Sequence, residues 1–114
     1  MTSAIDPARF AELQDTAGAE FVAELVDTFL QEAPGMLAEL RAARAATDAD
    51  RFRRAAHSLK SNSHTFGALP LGALARDLEL TGMNSDAAQD AARLDALEAE
   101  YARAATALEA LRHG

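Results

Sequence analysis

Residues 53–66 read Arg-Arg-Ala-Ala-His-Ser-Leu-Lys-Ser-Asn-Ser-His-Thr-Phe, and this run holds the most reactive grouping in the chain. On an α-helix, with about 100° of rotation per residue, Arg53, Arg54, Lys60, Ser61 and His64 all fall within about 60° of His57. Phe52, Ala55, Leu59 and Phe66 fall on the opposite side. The apolar face goes to a core, and the imidazole goes to water among cationic and hydroxyl groups. A neutral imidazole offers one nitrogen as a nucleophile while the other is held as N–H by an acceptor. A ring in this setting suits reaction with an anion. Lys60 lies one turn along, within reach of a negative group carried on the ring, and Ser61 can donate from its hydroxyl. An acceptor carboxylate from the next helix would orient the ring, and Glu79 is the candidate. Taken alone, the pattern goes no further than a reactive histidine, because a lone histidine on a helix is most often simply solvated.

The elements that must position this face are all helical. Ala and Leu are strong helix formers, and β-branched residues are sparse. Asp6-Pro7 starts a helix, with Asp as cap and Pro at the first helical position. About two turns follow, carrying Phe10 and Leu13 inward, and Gly18 ends them. From Ala19, the residues Phe21, Val22, Leu25, Val26, Phe29 and Leu30, then Met36, Leu37 and Leu40, form an apolar stripe. Pro34 interrupts it and predicts a kink or a one-turn break. Thr47 caps the histidine helix, with Asp48 and Asp50 at its positive end. That helix runs to about Phe66, and Gly67 ends or loosens it. Pro70 opens a fourth segment with Leu71, Leu74 and Leu78 inward, closed by Gly82. Asn84-Ser85-Asp86 is a polar turn and a cap. The last helix spans about Ala87 to Leu111, with Leu94, Leu97, Tyr101, Ala104, Leu108 and Leu111 along a bundle seam. The expected fold is all-α: an antiparallel up-down four-helix bundle with a short additional N-terminal helix, forming one domain over residues 1–114.

Composition removes several functions. A formal net charge of −7 argues against nucleic acid and anionic membranes as partners. The absence of cysteine excludes disulfides, thiol catalysis and cysteine-based zinc sites. The N-terminus does not read as a signal peptide and no apolar stretch spans a bilayer, so a cytoplasmic location is expected. No Glu-x-x-His pair supports a di-iron bundle, and His57 and His64 stand two turns apart, so no metal is expected. No Ser–His–Asp order points to a hydrolase. No glycine-rich nucleotide motif is present, so the chain is not expected to use ATP by itself.

The run His57-Ser58-Leu59-Lys60-Ser61-Asn62-Ser63, followed by Phe66-Gly67-Ala68, resembles the signature of histidine-containing phosphotransfer (HPt) domains. Their pattern is His, any residue, an aliphatic, Lys and small residues, with Gly ten positions after the histidine, where Gly67 stands. Phe29 to Leu37 is similar to the family's second-helix segment, and the resemblance runs from about Asp6 to Leu111. It implies a phosphorelay carrier that takes a phosphoryl group from one receiver-domain aspartate and passes it to another, linking a hybrid histidine kinase to a response regulator. His57 would be the phosphoacceptor, Lys60 would steady the phosphoryl oxygens and Glu79 would hold the imidazole. Gly67 would leave room for the partner to approach. The docking surface would be Ala68 and Leu69 beside Gly67, with Arg53 and Arg54 steering an acidic receiver. Mg²⁺ would sit on the receiver, and the chain itself needs no cofactor. Ser61 stands where the family often has Gly, a small substitution at the edge of the docking face. His64 lies outside the core motif and reads as an acid–base group, a partner contact or neither. A monomer is expected, since such a bundle closes alone. Two other readings stand beside this one: the phosphoacceptor domain of a chemotaxis-type kinase, and a non-catalytic helical adaptor. The sequence does not separate a standalone protein from an excised domain.

Overall fold

The computed structural model describes residues 3–113, and among these every regular element is helical. The helices are α1 (Pro7–Ala17), α2 (Ala19–Ala45), α3 (Ala49–Thr65), α4 (Leu69–Thr81) and α5 (Ala87–His113). None is long and apolar enough to cross a membrane.

Local chemistry sets most boundaries. Asp6 caps α1 by accepting from the Ala8 amide at 3.0 Å, ahead of Pro7. The cap of α3 is Asp48, not Thr47: Asp48 Oδ1 accepts from the Arg51 amide at 3.1 Å. Thr47 is the residue that turns the chain, with φ of 53°. Pro34 does not break α2, which runs unbroken through it. Pro34 is exposed, so the carbonyl that loses its partner one turn back faces the wet side. Its neighbour Ala33 and then Leu37 keep the buried stripe in register.

Helix α3 packs against α2 and α4, and α5 packs against the same two helices from the other side. Ion pairs give the relative direction of α2 and α5. Asp27 meets Arg112, Arg41 meets Asp95 and Glu98, and Arg44 meets Asp90. Partner numbers fall along α5 as they rise along α2, so these two helices run oppositely. Phe29 stands at the centre of the core, 5.4 Å from the Phe66 ring and 6.0 Å from that of Tyr101. Around them lie Val22, Val26, Leu40, Phe52, Leu59, Leu71, Leu97 and Leu108, all fully buried. Two residues expected inside are not. Phe21 is 52 % exposed, and Leu74 lies at the surface while Ala75 takes the inward position on α4. Both sit at the edge of an apolar stripe, where the helical phase leaves a side chain half out.

Helix α1 covers one end of this assembly. Ile5 and Phe10 enter the core, and the Asp6 amide donates to the Gly67 carbonyl at 2.8 Å.

Candidate functional site

Helix α3 buries Phe52, Ala55, Ala56, Leu59 and Ser63. That face fixes the rotation of the helix and turns His57 outward, with 56 % of its side chain exposed. Helix α4 buries Leu71, Gly72, Ala75 and Leu78, and the next residue, Glu79, is thereby aimed at α3. The two helices approach closely at Gly72. A Cβ there would lie 2.5 Å from His64 Cδ2 and Nε2, so any side chain would displace the His64 ring. Ser63 keeps the same interface thin by donating its hydroxyl to the Leu59 carbonyl at 2.6 Å within its own helix.

The result is a three-residue cluster. His57 Nδ1 lies 2.6 Å from Glu79 Oε2, and Lys60 Nζ lies 2.6 Å from Glu79 Oε1. The glutamate is 15 % exposed and the lysine 23 %. The Lys60 hydrogen bond first, and then that from His57, hold the Glu79 carboxyl below its ordinary range, against a smaller opposing effect of desolvation. Glu79 is therefore an ionised acceptor at neutral pH and has no proton to give. The proton of the neutral ring must sit on Nδ1, which donates to Glu79. Nε2 keeps its lone pair, makes no hydrogen bond among the described residues, and belongs to an exposed ring. This is a nucleophilic nitrogen on a ring whose tautomer Glu79 sets, next to a lysine held on the same carboxylate.

The other predicted residues fall into two groups. Arg53 and Arg54 are exposed on the histidine face, but both reach Asp50, at 2.9 and 3.1 Å. One aspartate thus offsets half of the expected positive patch. Ser61 and His64 are exposed on the same face, and Leu69 lies at the surface beyond them. Gly67 and Ala68 are different: both are buried, and Gly67 lies beneath the first turn of α1. Gly67 has φ of 76°, and a Cβ on it would lie 2.7 Å from Arg9 Cβ and 3.3 Å from the Asp6 carbonyl oxygen. The space beside Gly67 is filled from within the chain by Asp6 and Arg9, and the Ala68 side chain is not at the surface. At this end of the face, the surface groups are Leu69 and exposed residues of α1 such as Arg9. The sequence placed Asp50 at the start of α3 without its pairing to the two arginines, and did not single out Gly72 or Arg9. Asp50 had a readable signal, three and four residues before the two arginines; the other two depend on tertiary contact. Beside His57 a groove runs between α2 and α3, lined by Glu32, Gly35, Met36, Glu39, Arg51, Arg54, Ala55 and Ser58.

Residues 24–112 match the Hpt domain family. The chain belongs to that family. The matched span begins in α2 and takes in His57, Lys60 and Glu79, so the cluster lies inside the Hpt domain. Among solved structures, the chain is similar to the crystal structure of histidine-containing phosphotransfer protein B (HptB) from Pseudomonas aeruginosa PAO1. The two share 28% sequence identity with a TM-score of 0.87, over 99% of this chain and 97% of that one. Coverage that complete includes α1, which precedes the residues matched by the family. A comparison with curated proteins found no match.

Proposed function

We propose that this Hpt domain is the phosphoryl carrier of a two-component phosphorelay and that His57 Nε2 is the atom that carries the group. The observation behind this is the Nδ1–Glu79 hydrogen bond on a largely exposed ring, which leaves Nε2 as the only nucleophilic nitrogen of His57. In the forward step Nε2 attacks the phosphorus of a receiver-domain aspartyl phosphate. The N–P bond forms as the bond to the aspartate oxygen breaks, and the aspartate leaves as a carboxylate. The ring becomes cationic and keeps its Nδ1 proton, which Glu79 holds. The return step, to the aspartate of another receiver, reverses these changes. Such transfers rest on positioning and on neutralising charge rather than on further covalent chemistry. Lys60, now on Glu79, is the cation able to turn toward the phosphoryl oxygens. Mg²⁺ is expected on the receiver.

The reading takes residues 1–114 as one cytoplasmic, monomeric domain that neither binds ATP nor acts as a kinase. It also takes α2–α5 as an antiparallel up-down bundle. The short turns between the helices and the opposed ion pairs of α2 and α5 support that arrangement. The groove beside His57, with Ser61, His64, Leu69, Arg53 and Arg54, supplies the docking face for a receiver.

The test is intact-mass analysis after incubation with phosphorylated receivers and Mg²⁺, with peptide mapping. A gain of one phosphoryl group, located on His57 and absent from a folded His57→Gln variant, is expected. Equal labelling of that variant would overturn the assignment.

A further inference from the structure

Asp90, in the first turn of α5, is a fully buried carboxylate. Its Oδ2 accepts from Arg44 Nε at 2.6 Å and from the Asn84 amide at 2.8 Å. Its Oδ1 accepts from Arg93 Nη1 at 3.0 Å. A buried charge must be paired and hydrogen-bonded to be tolerated, and Asp90 is both. Arg93 extends this hub onto α4. Nη1 also donates to the Gly82 carbonyl at 3.0 Å, and Nη2 donates to Thr81 Oγ1 and lies 3.4 Å from Asp77 Oδ2.

The three residues that Arg93 grips bracket Glu79. Two residues either way on a helix is a rotation of about 200°, so Asp77 and Thr81 stand roughly 160° around α4 from Glu79. The last turn of α4 is therefore held on opposite flanks. Lys60 and His57 of α3 hold Glu79 on one side, and Arg93 of α5 holds Asp77 and Thr81 on the other. A terminal helical turn has carbonyls without intrahelical partners and tends to fray, and Arg93 supplies a donor there, to Gly82.

We infer that Arg93, anchored on Asp90, is a positioning residue: by fixing the last turn of α4 it sets Glu79 against Nδ1 of His57 and so fixes which ring nitrogen is free. Its consequence for phosphoryl transfer rests on the reading of His57 as phosphoacceptor, but its geometry does not. When the grip is lost, the end of α4 gains freedom, the Glu79–His57 bond is made only part of the time, and the ring samples both tautomers.

The experiment compares Arg93→Gln with Arg41→Gln. Arg41 also links α5 to another helix through two carboxylates, but it does not touch α4. Side-chain ¹⁵N NMR of His57 reads the tautomer without any phosphate, and stopped-flow labelling by a phosphorylated receiver reads the transfer. Wild type and Arg41→Gln should both show the Nδ1–H form. Arg93→Gln should show a mixture and transfer slowed by roughly tenfold, a fraction of what a misplacement of about 1 Å can cause. If Arg93→Gln fails to fold, Thr81→Val cuts one contact to α4 while leaving the Asp90 hub whole, and a smaller shift toward the mixture is expected. A wild-type tautomer in either folded variant overturns the inference, as does an equal shift in Arg41→Gln. A wild-type protein that holds the tautomer but never accepts a phosphoryl group refutes the carrier reading and leaves this inference standing.

Discussion

Replacing Gly67 by Ala separates two accounts of that glycine. If it cleared a path for a partner, the change would slow docking and leave stability alone. The structure predicts the reverse. A left-handed backbone with φ of 76° disfavours any Cβ by about 1–2 kcal/mol. The new methyl would also sit 2.7 Å from Arg9 Cβ, and overpacking of that kind costs about 1–3 kcal/mol. Together these give a loss of about 2–5 kcal/mol. There is a ceiling, because the chain can relieve the clash by releasing α1. That release exposes Ile5 and Phe10, each worth about 1.5–3 kcal/mol of burial, before the entropy regained by the freed segment is counted. Urea unfolding reads the loss, and at roughly 4 °C per kcal/mol the midpoint temperature should fall by about 8–20 °C. Amide exchange at Asp6, whose N–H is bonded to the Gly67 carbonyl at 2.8 Å, should accelerate with it. Phosphoryl transfer per folded molecule should change little. A stability loss below about 0.5 kcal/mol together with slowed transfer would refute this reasoning and return Gly67 to the partner interface.

Gly35 gives the opposite case: it lies inside α2, and a methyl added there would meet nothing within 4 Å, so Gly35→Ala should raise stability by about 0.5–1 kcal/mol in urea titration. Changing Arg53 and Arg54 to Glu turns their cluster with Asp50 from a net +1 (+2 − 1) to −3 (−2 − 1). Association with a phosphorylated receiver should slow by roughly tenfold at low salt, and the deficit should shrink at high salt; lost stability without a kinetic change would make the pair structural. Glu79, Glu39 and Glu98 are all held below the ordinary carboxylate range by Lys60 with His57, by Arg51 and by Arg41 respectively. Their contribution to stability is complete above the unfolded value of about pH 4.3 and is lost as the pH falls through the lower native values, so urea midpoints should be flat near neutrality and decline in acid.

The sequence made the histidine face legible because helical phase alone separates His57, Lys60 and His64 from Phe52, Ala55 and Leu59. Glu79 was legible through the family pattern, and its meeting with Nδ1 required α4 to fold back on α3. What stayed hidden shares one physical cause. The burial of Gly67 depends on where α1 lands, and the hub at Asp90 gathers Arg44, Asn84 and Arg93 from α2, the α4–α5 connection and α5. No periodicity within one helix records such convergence. The remaining differences are local competitions: Asp48 over Thr47 as cap, and an exposed Pro34 that the core packing on either side carries through α2.

The central claim is that Nε2 of one histidine carries the group, and the position of phosphorus on the ring tests it most directly. ¹⁵N–³¹P correlation NMR on the labelled, phosphorylated protein should place phosphorus on Nε2 of His57, with the proton retained on Nδ1. Phosphorus on Nδ1 of that ring, or on His64, would contradict the account.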